Sequence, residues 1–204
     1  MKKLAIKVDI DTLRGYREGV PQMLDLFKKH GIRASIFFSF GPDNSGKAIR
    51  RIFRKGFVSK MMRTKAPSTY GIKTLMYGTL LPAPMIVPSA PDIFVRASDE
   101  GHDCGVHAWD HVYVLDELPG IGKSEFLSLF ERSSEMFERL SGKKPLSCAA
   151  PGWQISPVSL EVQEEAGLEY CSDTRGHSPF IPVFRGRTYS PVQIPTTLQT
   201  MDEI

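Results

Sequence analysis

At 204 residues the chain is long enough to bury one substantial core. Its composition is 41% hydrophobic and 24% charged with a net charge of +3, and no apolar run approaches a membrane span, so a membrane-spanning polypeptide is excluded. Cys104, Cys148 and Cys171 are odd in number and widely spaced, which excludes a disulfide framework and a CxxC-type thiolate metal site and points to reduced thiols in a cytosolic compartment. The charge is unevenly spread. No acidic residue falls between Asn44 and Pro91, whereas Lys47, Arg50, Arg51, Arg54, Lys55, Lys60, Arg63, Lys65 and Lys73 do, and the rest of the chain is net acidic. That segment is suited to an anionic partner. Met1-Lys2-Lys3 resembles the start of a signal peptide, but Lys7 and Asp9 cut the apolar run too short for one.

In chain order, Leu4 to Asp9 reads as a buried strand ending in two carboxylates, Asp9 and Asp11. Thr12 to Gly19 reads as a polar loop, and Val20-Pro21 opens a helix ended by Gly31. Arg33 to Phe40 is a second strand and Gly41-Pro42-Asp43-Asn44 a turn. This β-α-β start with a short connection favours a parallel sheet. Residues 47–63 have the pattern of a basic amphipathic helix, and the stretch from there to Pro91 is apolar and proline-rich. Together, residues 44–91 read as a basic, apolar insertion that contacts a membrane surface or a lipid phosphate through 47–91. No nucleic-acid-binding module is recognisable in it.

The alternation then resumes: a short helix over Pro91–Glu100, a strand over Asp103–His107, a turn through Ala-Trp-Asp-His111, and a helix over Lys123–Leu140. A strand over Leu146–Ala149 follows, then a helix capped by Ser156, a strand over Leu168–Ser172, and a sixth strand at Gln193-Ile194. Asp9 and Asp11, His107 and His111, Pro151-Gly152-Trp153, and Asp173-Thr-Arg175 each follow the C-terminal end of an expected parallel strand. That is the edge at which sites of α/β sheets assemble.

His107 and His111, spaced i, i+4, place two imidazoles on one side of a helical turn. With Asp11 they form an Asp-His-His set able to hold a divalent metal with positions left for water and a substrate carbonyl. Asp9 then has a different task, accepting a proton from the attacking water. This division also relieves the repulsion between the two carboxylates. The combination indicates metal-assisted hydrolysis of an amide or ester.

Asp9-x-Asp11, His107-x-x-x-His111 after Glu100-Gly-His-Asp-Cys-Gly-Val, the Pro151-Gly152 loop and Asp173 together resemble the first four motifs of the polysaccharide deacetylases, carbohydrate esterase family 4. The stretches DIDT-LRG-REGVP, GIRASIFFSFGPDN, GHDCGVHAWDH, CAAPGW and CSDTRG resemble most nearly the branch of that family that removes a formyl group from 4-deoxy-4-formamido-L-arabinose on undecaprenyl phosphate. The resemblance covers essentially the whole chain. It implies an α/β fold, a distorted, incomplete (β/α) barrel of mostly parallel strands, forming one domain over residues 1–204. It implies Asp9 as base, Asp11, His107 and His111 as ligands of zinc or another divalent metal (cobalt, manganese or nickel), and Pro151, Gly152 and Trp153 at the sugar, with Asp173 and Arg175 as an outer shell of the substrate site. It further implies a bacterial cytoplasmic protein, peripheral on the inner membrane and acting in lipid A modification and polymyxin resistance. Deacylation of another amino sugar is the alternative activity.

Two departures from the family pattern stand out. The arginine of the third motif, which orients the base, is replaced by Ala149-Ala150-Pro151, so Arg175 is the expected substitute. The Leu-x-His motif that supplies the general acid is missing, so the domain is expected to lack its C-terminal part. A catalytically weak protein that binds a lipid-linked sugar is therefore the second alternative.

Overall fold

The computed structural model describes residues 4–48 and 71–200. Six strands, β1 (Lys7–Ile10), β2 (Ser35–Ser39), β3 (Asp103–Ala108), β4 (Ser147–Cys148), β5 (Tyr170–Cys171) and β8 (Val192–Gln193), form one sheet in the order β1-β2-β3-β4-β5-β8. Every neighbouring pair is parallel. Each of the first four strands lies beside its successor in the chain, and right-handed crossovers carry the main connecting helices to one face, where they share a core. Its end strands, β1 and β8, are not paired with each other, yet Lys7 Nζ of β1 reaches the Ser172 carbonyl beyond β5 at 3.1 Å, as in a sheet curled into an open barrel. This is the incomplete barrel expected from the sequence.

The helices are α1 (Val20–His30), α2 (Pro91–Asp99), α3 (His111–Glu117), α4 (Lys123–Ser141) and α5 (Pro157–Glu165). Their ends follow local rules. Gly31 and Gly142 close α1 and α4 in the left-handed conformation. Pro91 and Pro157 open α2 and α5, and Ser156 and Ser159 form a reciprocal capping box. No helix among the described residues is long and apolar enough to cross a membrane.

Strand alternation divides the chemistry. Ile10, Ile36, Phe38 and Val106 face the helices, where Leu24, Phe27, Phe94, Ala97 and Phe137 complete the core. Phe94 is its centre: its ring lies 5.1 Å from Phe38, 5.3 Å from Phe40 and 5.1 Å from Phe137. The opposite parity carries Lys7, Asp9, Phe37, Gly105 and His107. Lys7 sits 5.6 Å from the Phe37 ring, and a side chain on Gly105 would collide with it.

Two expectations are revised and one unanticipated element is added. The segment expected as a loop from Thr12 to Gly19 is helical from Leu13 on, with a π turn over Gly15–Gly19 running directly into α1. Its start is capped from thirty residues away: Asp43 Oδ2 accepts Leu13 N–H at 2.8 Å, while Thr12 Oγ1 accepts Gly15 N–H at 3.1 Å. Ile86 and Val87, read as part of an apolar insertion, are fully buried in the core. The preceding segment docks on the loop after β2, with Gly46 N–H donating to Tyr77 O (3.0 Å) and Ile86 N–H to Gly41 O (2.8 Å). Most of the expected basic helix over 47–63 lies outside the described residues. Lastly, Val183–Phe184 (β6) and Arg187–Thr188 (β7) form an antiparallel hairpin. Positive φ at both Arg185 and Gly186 makes its two-residue turn one that matches strand twist.

Because Phe94 touches three other rings and is fully enclosed, Phe94→Ala is expected to lower stability by about 3–5 kcal/mol in urea denaturation.

Candidate active site

The site forms at the C-terminal ends of β1 and β3, where a short loop follows each strand. Asp11 Oδ1 lies 3.1 Å from His107 Nε2, and Asp11 Oδ2 lies 3.7 Å from His111 Nε2. The two imidazoles are stacked with centroids 5.2 Å apart. His107 and His111 do not share a helix, as their spacing suggested. His107 is on β3 and His111 opens α3, so it is the turn between them that brings the rings together. Asp110 makes that turn sharp by capping α3, accepting Tyr113 N–H at 3.0 Å.

One hydrogen bond fixes the chemistry of His107. Its Nδ1 is 2.7 Å from the carbonyl of Ala149, which can only accept, so Nδ1 carries the hydrogen and Nε2 is turned toward Asp11. In the neutral ring Nε2 is a lone pair facing a carboxylate. Asp11 Oδ1 is buried without a well-directed hydrogen-bond donor. One carboxylate and two imidazoles whose ligand atoms lie within 4.8 Å of one another, with acceptors facing acceptors, fit a divalent cation. Without a cation a proton must substitute. Burial opposes the charge on both groups, yet the histidines, His111 foremost, hold the Asp11 carboxyl far below its ordinary range. Asp9, with Asp11, raises the pKa of buried His107.

Asp9 lies on the same face of β1. Its Oδ2 is 3.0 Å from Lys7 Nζ, while its Oδ1 is buried with no hydrogen-bond donor. Asp9 and Asp11 open onto a groove of about 430 Å³ lined also by Thr12 and Arg14 and by Gly15 and Glu18 of the π turn. The other residues singled out in the sequence sit to the side of and behind this group. Pro151, Gly152 and Trp153 form a single 3₁₀ turn after β4. Gly152 has φ +64 and lies against Leu115, leaving no room for a side chain. Trp153 itself has φ +54, a conformation that costs a bulky residue energy. Its indole donates to Thr196 Oγ1 at 2.9 Å, and Arg175 stacks on its ring at 4.7 Å. Arg175 also donates to Leu198 O at 3.0 Å. The cation seen on Asp9 is Lys7, from the same strand.

Asp173 is wholly buried, and burial raises its pKa against the hydrogen bonds that stabilise the carboxylate. It accepts Ala150 N–H at 2.7 Å, Gln163 Nε2–H at 2.8 Å and Gln193 Nε2–H at 3.0 Å. It thus fixes the peptide next to the Ala149 carbonyl that orients His107. Cys148 and Cys171 complete a second group of potential ligands with Asp173. There the Cys171 contact and burial keep the Cys148 thiol protonated, and the carboxylate already accepts hydrogen bonds from three N–H groups, so this group is a hydrogen-bond network. Sequence reasoning also missed Asp43 and Asn44. Asp43 caps the helix after Asp11, and Asn44 Nδ2 donates to Asp110 Oδ2 at 2.6 Å, so a single loop ties both halves of the site. Their signal was two short polar side chains just past a strand, read simply as a turn.

Residues 2–171 match the polysaccharide deacetylase family. The chain belongs to that family. It is 41% identical over 203 residues to the probable 4-deoxy-4-formamido-L-arabinose-phosphoundecaprenol deformylase ArnD of Shewanella sediminis, covering 99% of this chain and 65% of that protein. A second protein of that name, from Wigglesworthia glossinidia brevipalpis, is 29% identical over 192 residues, covering 93% of this chain and 66% of that protein. The chain therefore spans just under two thirds of the length of these curated relatives. Among solved structures, Puue allantoinase superposes with a TM-score of 0.59 at 15% identity, covering 95% of this chain and 61% of that one, which is a likeness of fold.

Two outcomes follow from this geometry. The raised His107 pKa means that cation binding expels a proton. Zn²⁺ affinity should therefore begin to fall on acidification at a pH above 6.5, and titration calorimetry in buffers of different ionisation enthalpy should show the proton released. Asp43→Ala leaves Leu13 N–H uncapped and should cost about 1–3 kcal/mol of stability while weakening Zn²⁺ binding, read by thermal unfolding with and without metal.

Proposed function

We propose that the chain is a metal-dependent amide hydrolase that removes the formyl group from 4-deoxy-4-formamido-L-arabinose carried on undecaprenyl phosphate. The observation that carries this reading is the coincidence of two things. Identity to a probable deformylase extends over 99% of the chain, and the four residues the chemistry needs, Asp9, Asp11, His107 and His111, meet at one sheet edge.

Asp11, His107 and His111 would hold the cation. When bound, a divalent ion such as zinc, cobalt, manganese or nickel supplies Lewis acidity to the amide carbonyl and to a water. Asp9 is the base: it lines the groove, its Oδ1 has no donor to satisfy it, and its carboxylate accepts the proton of the attacking water. The Ala149 carbonyl and Asp173 behind it keep His107 in the one tautomer that presents Nε2. Pro151, Gly152 and Trp153 line the sugar's place, and Arg175 holds the indole from its other side. The backbone of that turn is suited to donate to the tetrahedral oxyanion.

A lipid-linked substrate puts the protein on a membrane surface, here the cytoplasmic face of the inner membrane. In the described part of the 47–91 stretch, Ile72 and Leu80 are 72% and 79% exposed, as apolar contacts with a bilayer would be.

The test is formate release from the lipid-linked formamido sugar, assayed on this chain with Zn²⁺ or Co²⁺. His107→Ala should lose both metal and activity, and Asp9→Ala should lose activity with metal retained. Metal bound without formate released would refute the hydrolase assignment for this chain. Release of acetate from an acetamido analogue at a comparable rate would reassign it to another amino sugar.

A further inference from the structure

Asp9 and Asp11 stand two residues apart on one face of the chain, both acting on the His107 imidazole, and a divalent cation there would be the strongest local charge. Both carboxylates have reason to turn to it. A base bound to the cation is no longer a base, so something must keep Asp9 apart.

The candidate is Lys7, two residues before Asp9 on the same face of β1. Its Nζ lies 3.0 Å from Asp9 Oδ2. It is also anchored from other sides: Nζ donates to the Ser172 carbonyl at 3.1 Å and lies 5.6 Å from the Phe37 ring and 6.0 Å from the Trp153 ring. The side chains of Lys7 and Asp9 are 18% and 25% exposed, so the pair is shielded from the water and salt that weaken surface ion pairs. Only Oδ2 is engaged, and Oδ1 stays buried and without a donor.

We propose that Lys7 is a positioning residue that holds Asp9 out of the metal's ligand set and so keeps it available as the base. Lys7 draws Oδ2 along the strand, away from the Asp11 end, and fixes the carboxylate plane, leaving Oδ1 without a donor. The inference rests on the reading of Asp11, His107 and His111 as the metal site.

The test uses the full chain and Co²⁺ as the probe, because visible absorption of Co²⁺ reports coordination number and competition with a chelator gives affinity. The wild type and Lys7→Arg should share one spectrum. Lys7→Met should bind Co²⁺ several-fold tighter and with the weaker absorption of a higher coordination number. The double variant Lys7→Met/Asp9→Asn should return to the wild-type spectrum. In formate release, Lys7→Met should lose kcat with KM little changed, and Lys7→Arg should restore kcat. Lys7→Gln, which removes the charge but keeps length and polarity, is carried alongside in case Lys7→Met does not fold. The proposal is overturned if neither neutral variant changes the Co²⁺ spectrum, or if the change persists in the double variant. A wild type that takes up no Co²⁺ would instead refute the metal site itself.

Discussion

The loop that follows β2 holds the two halves of the candidate site together through two buried side chains. Asp43 accepts the N–H of Leu13, fixing the chain as it leaves Asp11, and Asn44 donates to Asp110, the cap that sets His111 at the head of α3. Neither side chain faces the groove. Both are nearly inaccessible to solvent, so each hydrogen bond replaces water that cannot reach it, and losing one strands a buried partner. Asp11 follows β1 and His111 opens the helix after β3, two strands that are not neighbours in the sheet. Their meeting depends on β2, which lies between them, sending out this loop.

The sheet makes that arrangement possible. Crossovers of one hand between successive strands place the helices on one face, and alternation then sends every second side chain to the other. On β1 that parity gives Lys7 and Asp9, on β2 Phe37, and on β3 Gly105 and His107. The apolar parity builds the phenylalanine core around Phe94, and the polar parity supplies the site. A one-residue slip in any of these strands would exchange the two sets, so the core that stabilises the fold also specifies which residues reach the groove.

Behind the potential ligands Asp11, His107 and His111 runs a chain of backbone and side-chain contacts: Asp173 to Ala150 N–H, and the adjoining Ala149 carbonyl to His107 Nδ1. Gln163 and Gln193 satisfy the rest of the Asp173 carboxylate. This explains a wholly buried acid at the end of β5. It holds the exit of β4 in the one position that leaves His107 Nε2 directed at Asp11. His102, by contrast, is a packing residue: its Nδ1 accepts Ala34 N–H at 3.2 Å and its ring lies 5.6 Å from that of Phe27.

Much of this was legible in the residues themselves. The six sheet strands, the helix ends at Gly31, Gly142 and Ser156, and the grouping of Asp9, Asp11, His107 and His111 follow from apolar periodicity, capping chemistry and ligand type, all local in sequence. What the sequence left open was decided by partners distant along the chain. Residues 13–19 are helical because Asp43 caps them, and two glycines alone would have argued for a loop. Ile86 and Val87 are core because the segment before α2 docks on Gly41, whereas their local neighbours are prolines and exposed apolar residues. Lys7, which from sequence merely interrupts an apolar strand, shares the face of Asp9 by strand alternation, but that its ammonium is held there by the distant Ser172 carbonyl only the folded sheet shows. The sequence by itself determined which chemical groups are present and at which sheet edge they lie. The tertiary structure decided which of them touch, because hydrogen bonds between residues 30 to 70 positions apart fix side-chain direction and no local pattern encodes them.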